Sequence, residues 1–445
     1  MSLVTRRECR MRVLFTVSGW RSHYFPMVPL GWALQAAGHE VRVACAASEI
    51  QHVAAAGLVP VPILSGTEQL VHARWVNAVQ ARRGKWPYPT PPPHPETGAE
   101  VRDLDEIDLT AVTDRLRSAS VAAAERSVDN VVAFARSWRP DLVVHDPISF
   151  EGPLAGRVQG VPSVNHLWGP VGPEEMVLAF AGLDETAGIH DLVQFDDEYV
   201  LNRPLTDALA RHGVPEAAPG PGYVLDPCPV STEPGLVSAV RLPIRYLPYN
   251  GPGELPEWLS EPDRDRPRIC VIWGNSSRQI FGDRALAVPA VVRALTDTAA
   301  EVVVAANATD LRDLGPLPPN VRPLENVPLH LVLPRCDLVV HHGGAGSAMT
   351  SLAGGVPQLA IPHGFDQHVI ARRIEAAGAG RSIAGHVANE NDIRKAALEI
   401  LADPAYRRNT ARVCRELQDR PSPSEVVGVL EELAERRTTT TSGKS

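Results

Sequence analysis

Two α/β domains of similar size, each built on a parallel sheet and facing the other across a cleft, are what this sequence predicts. Three observations carry that expectation. The chain has 445 residues, too many for one core, since single hydrophobic cores stop growing near about 250–300 residues. A β-α-β pattern opens it. After a stretch rich in Pro, Gly and acidic residues, the same pattern begins again.

The elements follow in order. Arg12–Val17 is a short apolar strand, Ser18–Phe25 a loop, and the next run is helical to Ala37, with Gly38 as its stop. Glu40–Ala44 is the second strand. An amphipathic stretch from Leu116 to Trp138 leads into a further strand of the same sheet, Asp141–His145. The segment Lys85–Pro95, "KWPYPTPPPHP", is dense in proline and is expected to be extended or mobile rather than helical. Leu247–Pro267 reads as an exposed linker, not a core element. Beyond it Ile269–Trp273, Glu301–Ala305, Leu338–His342 and Gln358–Ile361 read as strands, with a helix over Arg284–Thr298. The expected division is therefore a first domain over 11–246, a linker over 247–267 and a second domain over 268–420. A helix over 421–437 is expected to pack back on the first domain, and the polar tail Thr438–Ser445 to be disordered.

Composition narrows the function. A hydrophobic fraction of 44% and a charged fraction of 21% are those of a folded globular chain. A net charge of -9 argues against a nucleic-acid partner, which needs clustered Lys and Arg. No apolar run approaches the roughly 20 residues a membrane helix requires, and Met1–Arg10 is polar and basic, so a cytoplasmic protein without a membrane partner is expected. The six cysteines are scattered with no C-x-x-C pair; Cys45 and Cys270 read as small core residues.

The most informative segment is "HHGGAGS", His341–Ser347, between an apolar strand and a helical run. Gly343, Gly344 and Gly346 allow close backbone approach, and a helix beginning near Ser347 offers free N–H groups and a positive dipole end, a geometry that suits a diphosphate. A purely structural turn fits the same residues. Successive strand side chains point to opposite faces, so His341 and His342 are not expected to share a metal ion, and no metal is expected; one of the two should face the cleft. "PHGFDQ", Pro362–Gln367, places Asp366 beside Gln367 at a strand end, suited either to sugar hydroxyls or to helix capping by Asp366.

Together "HHGGAGSAMTSLAGGVPQLAIPHGFDQ" resembles the donor signature of nucleotide-sugar glycosyltransferases with the GT-B fold. "SHYFPMVPLGWALQAAGHEVRV", "WRPDLVVHDPISF", "HLWGP", "YNGPGELPEWL", "WGNSSRQ" and "PSPSEVVGVLEEL" resemble the branch that tailors macrolide and aromatic polyketide antibiotics. The resemblance implies inverting, metal-independent transfer from a TDP-sugar, more than a UDP-sugar, to a hydroxyl of a small aglycone, with no cofactor besides that co-substrate. It puts His342, Gly346 and Ser347 on the donor phosphates, Ser276 and Ser277 on the same diphosphate from the other side, Val327 by the nucleobase, and Asp366 with Gln367 on the sugar. Relatives that use dideoxy or amino sugars often carry Asp-Thr there; keeping Gln367 leaves a more hydroxylated sugar open.

The resemblance also aligns His23 with the catalytic base and Asp146 with the carboxylate that orients it. An acceptor hydroxyl is a poor nucleophile at neutral pH, and an imidazole that removes its proton lowers the barrier. The aglycone is expected to meet Ile63–Thr113 and His166–Phe195, where Trp75, Trp168, Met176 and Phe180 could line a pocket or be core. A cytochrome-like auxiliary protein docking near Ser118–Trp138, and a homodimer, are further partners the resemblance suggests. Two other readings stand beside transfer: a sugar-nucleotide epimerase of the same fold, and a non-catalytic sugar-nucleotide-binding activator.

Overall fold

The computed structural model describes residues 10–441 apart from 67, 176–209, 215–221, 236–238, 260–264, 275 and 283–287; Met176 and Phe180 lie outside the described residues. Strands β1 (Arg12–Thr16), β2 (Glu40–Ala46), β3 (Pro60–Leu64), β4 (Leu142–His145), β5 (Ser163–His166), β6 (Tyr223–Asp226) and β7 (Val240–Pro243) form one sheet, in the order β3-β2-β1-β4-β5-β6-β7. A second sheet holds β8 (Arg268–Ile272), β9 (Glu301–Ala306), β10 (Val321–Glu325), β11 (Leu338–His341), β12 (Gln358–Ala360) and β13 (Gly380–Ser382), in the order β10-β9-β8-β11-β12-β13. Every pairing is parallel.

Parallel strands carry helices on both faces, so their side chains are buried whichever way they point. Val13 and Phe15 of β1 enter one cluster, with Leu30 and Leu34 of the helix Val28–Ala36 and Val427 and Leu430 of the helix Pro423–Thr441. Leu14, between them, enters the opposite cluster with Val128, Val131 and Val132 of the helix Leu109–Trp138. The second sheet repeats the arrangement: Ile269 and Val271 face one core, Cys270 and Ile272 the other.

Both sheets reverse strand order next to their first strand, between β1 and β4 and between β8 and β11. Such switch points open a crevice at the carboxyl ends of the strands. His23 follows β1 and Asp146 follows β4; Ser276 follows β8 and His342 follows β11. The topology alone thus brings the expected base and the expected phosphate residues to the two crevices.

Several details differ from expectation. The segment after β1 is not all loop, because Arg21–Tyr24 forms one helical turn that carries His23. The helix after the glycine turn starts at Ala345, two residues before Ser347. The linker is not wholly surface: Leu259 is fully buried in the second domain, and the Asn250 side chain accepts from the His330 backbone N–H at 3.0 Å while donating to Thr350 Oγ1 at 3.2 Å. The last helix runs Pro423–Thr441, past the start of the expected tail. The proline-rich segment has no regular structure, yet Pro92 and Pro93 are buried.

The domains meet along the loop after β5. Gly169 lies so close to the helix Ala345–Ala353 that a Cβ there would sit 2.8 Å from the Ala345 Cβ. Beyond it Arg373 donates to the Pro170 carbonyl at 2.6 Å and pairs with the buried Glu175 carboxylate at 2.8 Å.

Candidate functional site

On the first domain's side the centre is His23. Its ring stacks on Trp168, with centroids 3.7 Å apart and planes 18° from parallel, and its Nδ1 lies 3.5 Å from Ser18 Oγ. Burial by these neighbours lowers its pKa to about 3, so the ring is neutral at pH 7 and has a lone pair to accept a proton.

Asp146, fully buried, accepts backbone N–H bonds from Ser18 at 2.5 Å, Ile148 at 3.0 Å and Ser149 at 3.1 Å. It reaches His23 through Ser18, not by a direct bond. Burial lifts its carboxyl to about 6, against the pull of those donors, of which Ser18 is the strongest.

On the second domain's side the two histidines separate by role. His341 is fully buried: its Nδ1 accepts the Gly343 N–H at 3.0 Å, which leaves Nε2 to donate to Gln358 Oε1 at 2.9 Å. It holds the glycine turn, where Gly343 has φ +88°. His342 lies between the turn and the loop after β8. A Cβ at Gly274 would come within 2.8 Å of its Cε1, and one at Gly344 within 2.4 Å of its Nε2. These glycines are the space the ring occupies. Burial holds His342 near 4, opposed by the Ile272 carbonyl, and its Nδ1 has no hydrogen-bond partner among the described residues.

The helix Ala345–Ala353 begins at Gly344 with no side-chain cap, so its first N–H groups are free for an anion. A Cβ at Gly346 would meet nothing within 4 Å, so that part of the turn is open. Ser347 and Ser277 are buried, and Ser276 precedes the short helix Ser277–Phe281 without capping it. Val327 is half-buried beside Leu324 and Val332.

Asp366 stands at the head of the helix Gln367–Ala376 without a capping bond, so the capping alternative does not describe its carboxylate. Burial raises it to about 6, the Trp168 indole opposing. Gln367 spends its Oε1 on the His363 backbone N–H at 2.9 Å and keeps its amide N–H groups. Trp168 therefore lies between His23 of one domain and Asp366 of the other.

Trp168 is 2% exposed and packs with Ala345 and Met349; Trp75 is 6% exposed and packs with Val112 and Leu116. Both are packed side chains here, not open pocket walls. Sequence reasoning missed Ser18, Gly274 and the stacking role of Trp168. Gly274, directly after an apolar strand, is the one with a local signal. Among the described residues no group of three or more His, Cys, Asp or Glu is placed to hold a metal ion, and no helix is long and apolar enough to cross a membrane.

Comparison with known proteins agrees with this geometry. Residues 32–274 match the family described as erythromycin biosynthesis protein CIII-like, N-terminal domain, and residues 289–433 match its C-terminal domain. The chain is 34% identical to the 3-alpha-mycarosylerythronolide B desosaminyl transferase of Saccharopolyspora erythraea, covering 96% of this chain and 99% of that one. It is 36% identical to the aclacinomycin-T 2-deoxy-L-fucose transferase of Streptomyces galilaeus, covering 96% and 97%. The crystal structure of the glycosyltransferase VinC in complex with dTDP superposes with a TM-score of 0.70 at 28% identity, over 96% of this chain and all of that one.

Proposed function

The chain belongs to the erythromycin biosynthesis protein CIII-like family of GT-B glycosyltransferases, and from that membership we propose that it moves a hexose or deoxyhexose from a TDP-sugar onto a hydroxyl of a macrolide or aromatic polyketide aglycone, with inversion and without a metal. One observation carries the reading: a neutral imidazole at the switch point of one sheet is stacked, through Trp168, against the uncapped helix start at the switch point of the other.

In this reaction His23 takes the acceptor proton as the hydroxyl oxygen attacks the anomeric carbon. The bond from that carbon to the phosphate oxygen breaks on the opposite face, and the nucleoside diphosphate leaves with the electron pair. Its growing charge meets His342 and the N–H groups at the head of Ala345–Ala353, a preorganised electrostatic site in place of a cation. A pKa near 3 in the free protein makes His23 a weak base. The negative diphosphate entering the cleft favours the imidazolium and brings the ring closer to its task. Asp146 acts at one remove, fixing the Ser18 loop on which His23 rests.

The relatives are transferases, which does not favour the epimerase or the activator subunit. The test is single-turnover transfer by the purified chain from TDP-sugars to a panel of polyketide aglycones. His23→Ala should slow transfer by about 10²–10⁴ with TDP affinity unchanged; full-rate transfer by that variant rejects the base. Sugar epimerised without acceptor would favour the rival enzyme. Adding an auxiliary protein to the same assay, and sizing the chain in solution, test the two partner expectations.

A further inference from the structure

The proline-rich segment of the first domain crosses the cleft and ends on the loop that carries Asp366 and Gln367. Trp86 lies parallel to Phe281 of the second domain, with centroids 6.3 Å apart, and its indole N–H donates to the Thr90 carbonyl at 2.8 Å, which closes the bend. Inside that bend Tyr88 Oη sits 2.6 Å from His363 Nδ1.

His363 is 4% exposed. Its ring is enclosed by Phe281 at 5.5 Å, Trp273 at 5.7 Å and the Gly385 backbone, where a Cβ would approach Nδ1 to 2.7 Å. The same hydroxyl approaches the His363 carbonyl only to 3.5 Å, and a phenol is a stronger acid than a neutral imidazole, so the geometry favours Tyr88 donating to Nδ1 with the ring's single proton on Nε2. Burial, which lowers His363 to about 3, keeps it neutral. The Nε2–H is buried and has no hydrogen-bond partner among the described residues. An unpaired buried donor is unfavourable and needs a ligand or functional account.

Its surroundings indicate the ligand. Trp273 lies against both His363 and His342, at 5.7 and 6.2 Å, so the two rings flank one indole. The diphosphate already has His342 and the helix start. His363 instead belongs to the sugar loop, and its backbone N–H fixes Gln367.

We infer that His363 Nε2–H donates to an oxygen of the donor's sugar, and that Tyr88, reaching from the opposite domain, sets the tautomer that makes this possible. The inference rests on the glycosyltransferase reading. Sugar recognition then depends on the strap from the acceptor domain being seated on the donor domain.

Calorimetric titration of the full chain with TDP and TDP-glucose, or UDP and UDP-glucose if the wild type prefers them, separates the possibilities. His363→Phe should weaken the sugar nucleotide by about ten-fold and leave the free diphosphate unchanged. His363→Gln, whose amide N–H can reach the Nε2 position, should recover part of the loss, and Tyr88→Phe should show a smaller loss confined to the sugar nucleotide. Equal weakening of both ligands would place the ring at the diphosphate or in the fold and overturn the inference. No change in either would leave Nε2–H to a bound water and overturn it too. A wild-type chain that binds none of these nucleotides removes the glycosyltransferase reading, and the inference with it.

Discussion

A glycine is usually read as a turn, but at His342 two glycines act as vacant volume. Gly344 has ordinary extended φ and ψ, so alanine there carries no backbone strain; its Cβ would instead press within 2.4 Å of His342 Nε2. Overpacking of this kind costs about 1–3 kcal/mol, and here it falls on the ring expected to hold the diphosphate. Gly344→Ala should therefore lower TDP affinity by about ten-fold or more, whereas Gly346→Ala, with nothing within 4 Å, should leave the melting temperature of the free protein unchanged; titration and thermal melts check the pair. The spacing suggested a phosphate turn at "HHGGAGS" without deciding between the two histidines, and only the family resemblance chose His342. The answer depends on Gln358, which takes His341 into the sheet layer through a contact 17 residues away. No local pattern encodes it. Likewise the resemblance marked Asp146 as a carboxylate near the base, while its route through Ser18 spans 128 residues and has no local signal.

Among the elements, the helix Pro423–Thr441 shows how a pattern becomes stability. Val426, Val427, Leu430 and Leu433 join the first domain's core, and Glu431 pairs at 3.1 Å with His39, whose other nitrogen accepts the Met11 N–H at 3.2 Å. Leu430 is fully buried, so Leu430→Ala should destabilise the fold by about 2–5 kcal/mol. Denaturant titration at constant m reads that loss, and a change under 1 kcal/mol, roughly that of a surface substitution, would show the helix to be peripheral. Strands with both faces covered, such as β1, β8 and β11, were plain in the sequence because they are unbroken apolar runs. The inner strands β5 (SVNH) and β6 (YVLD), carrying polar residues, were not, and neither were the edge strands. β3 reads PVPIL, β7 VRLP and β13 GRS, short and interrupted by Pro or Gly. At β13 the glycine is required: a Cβ on Gly380 would lie 2.1 Å from the Gln358 carbonyl of the neighbouring strand. Tertiary closeness, not strand propensity, selects that residue.

For the molecule as a whole, buried imidazoles set the response to acid. His145, His166, His341, His342 and His363 are held by burial at about 3 to 4, against 6.5 when unfolded. Below pH 6.5 the unfolded chain therefore takes up protons that the native state refuses, and stability falls as pH falls. Asp146 and Asp366, raised by burial to about 6, and Glu151, raised to about 7, act in the opposite direction: the stability they contribute is present at low pH and lost as pH rises through those values. The imidazoles outnumber them, so the melting temperature should drop between pH 7 and pH 5 at fixed ionic strength; a rise over that interval would contradict the assignment of neutral rings. Two parallel-sheet domains were foreseeable from repeated β-α-β patterning, whereas the candidate site residues were picked out by the glycine turn and the family resemblance. The path of the chain between the domains carries a further meaning. It crosses once near Arg245 and returns near Pro421, and the Arg245 N–H donates to the Pro421 carbonyl at 2.7 Å, so outward and homeward passages run side by side. During synthesis the first domain emerges early but lacks Val426, Val427, Leu430 and Leu433 until the second sheet has been made. The part translated first is thus completed only after the second, and a ribosome halted after the second sheet would hold a first domain with one wall of its interior still bare.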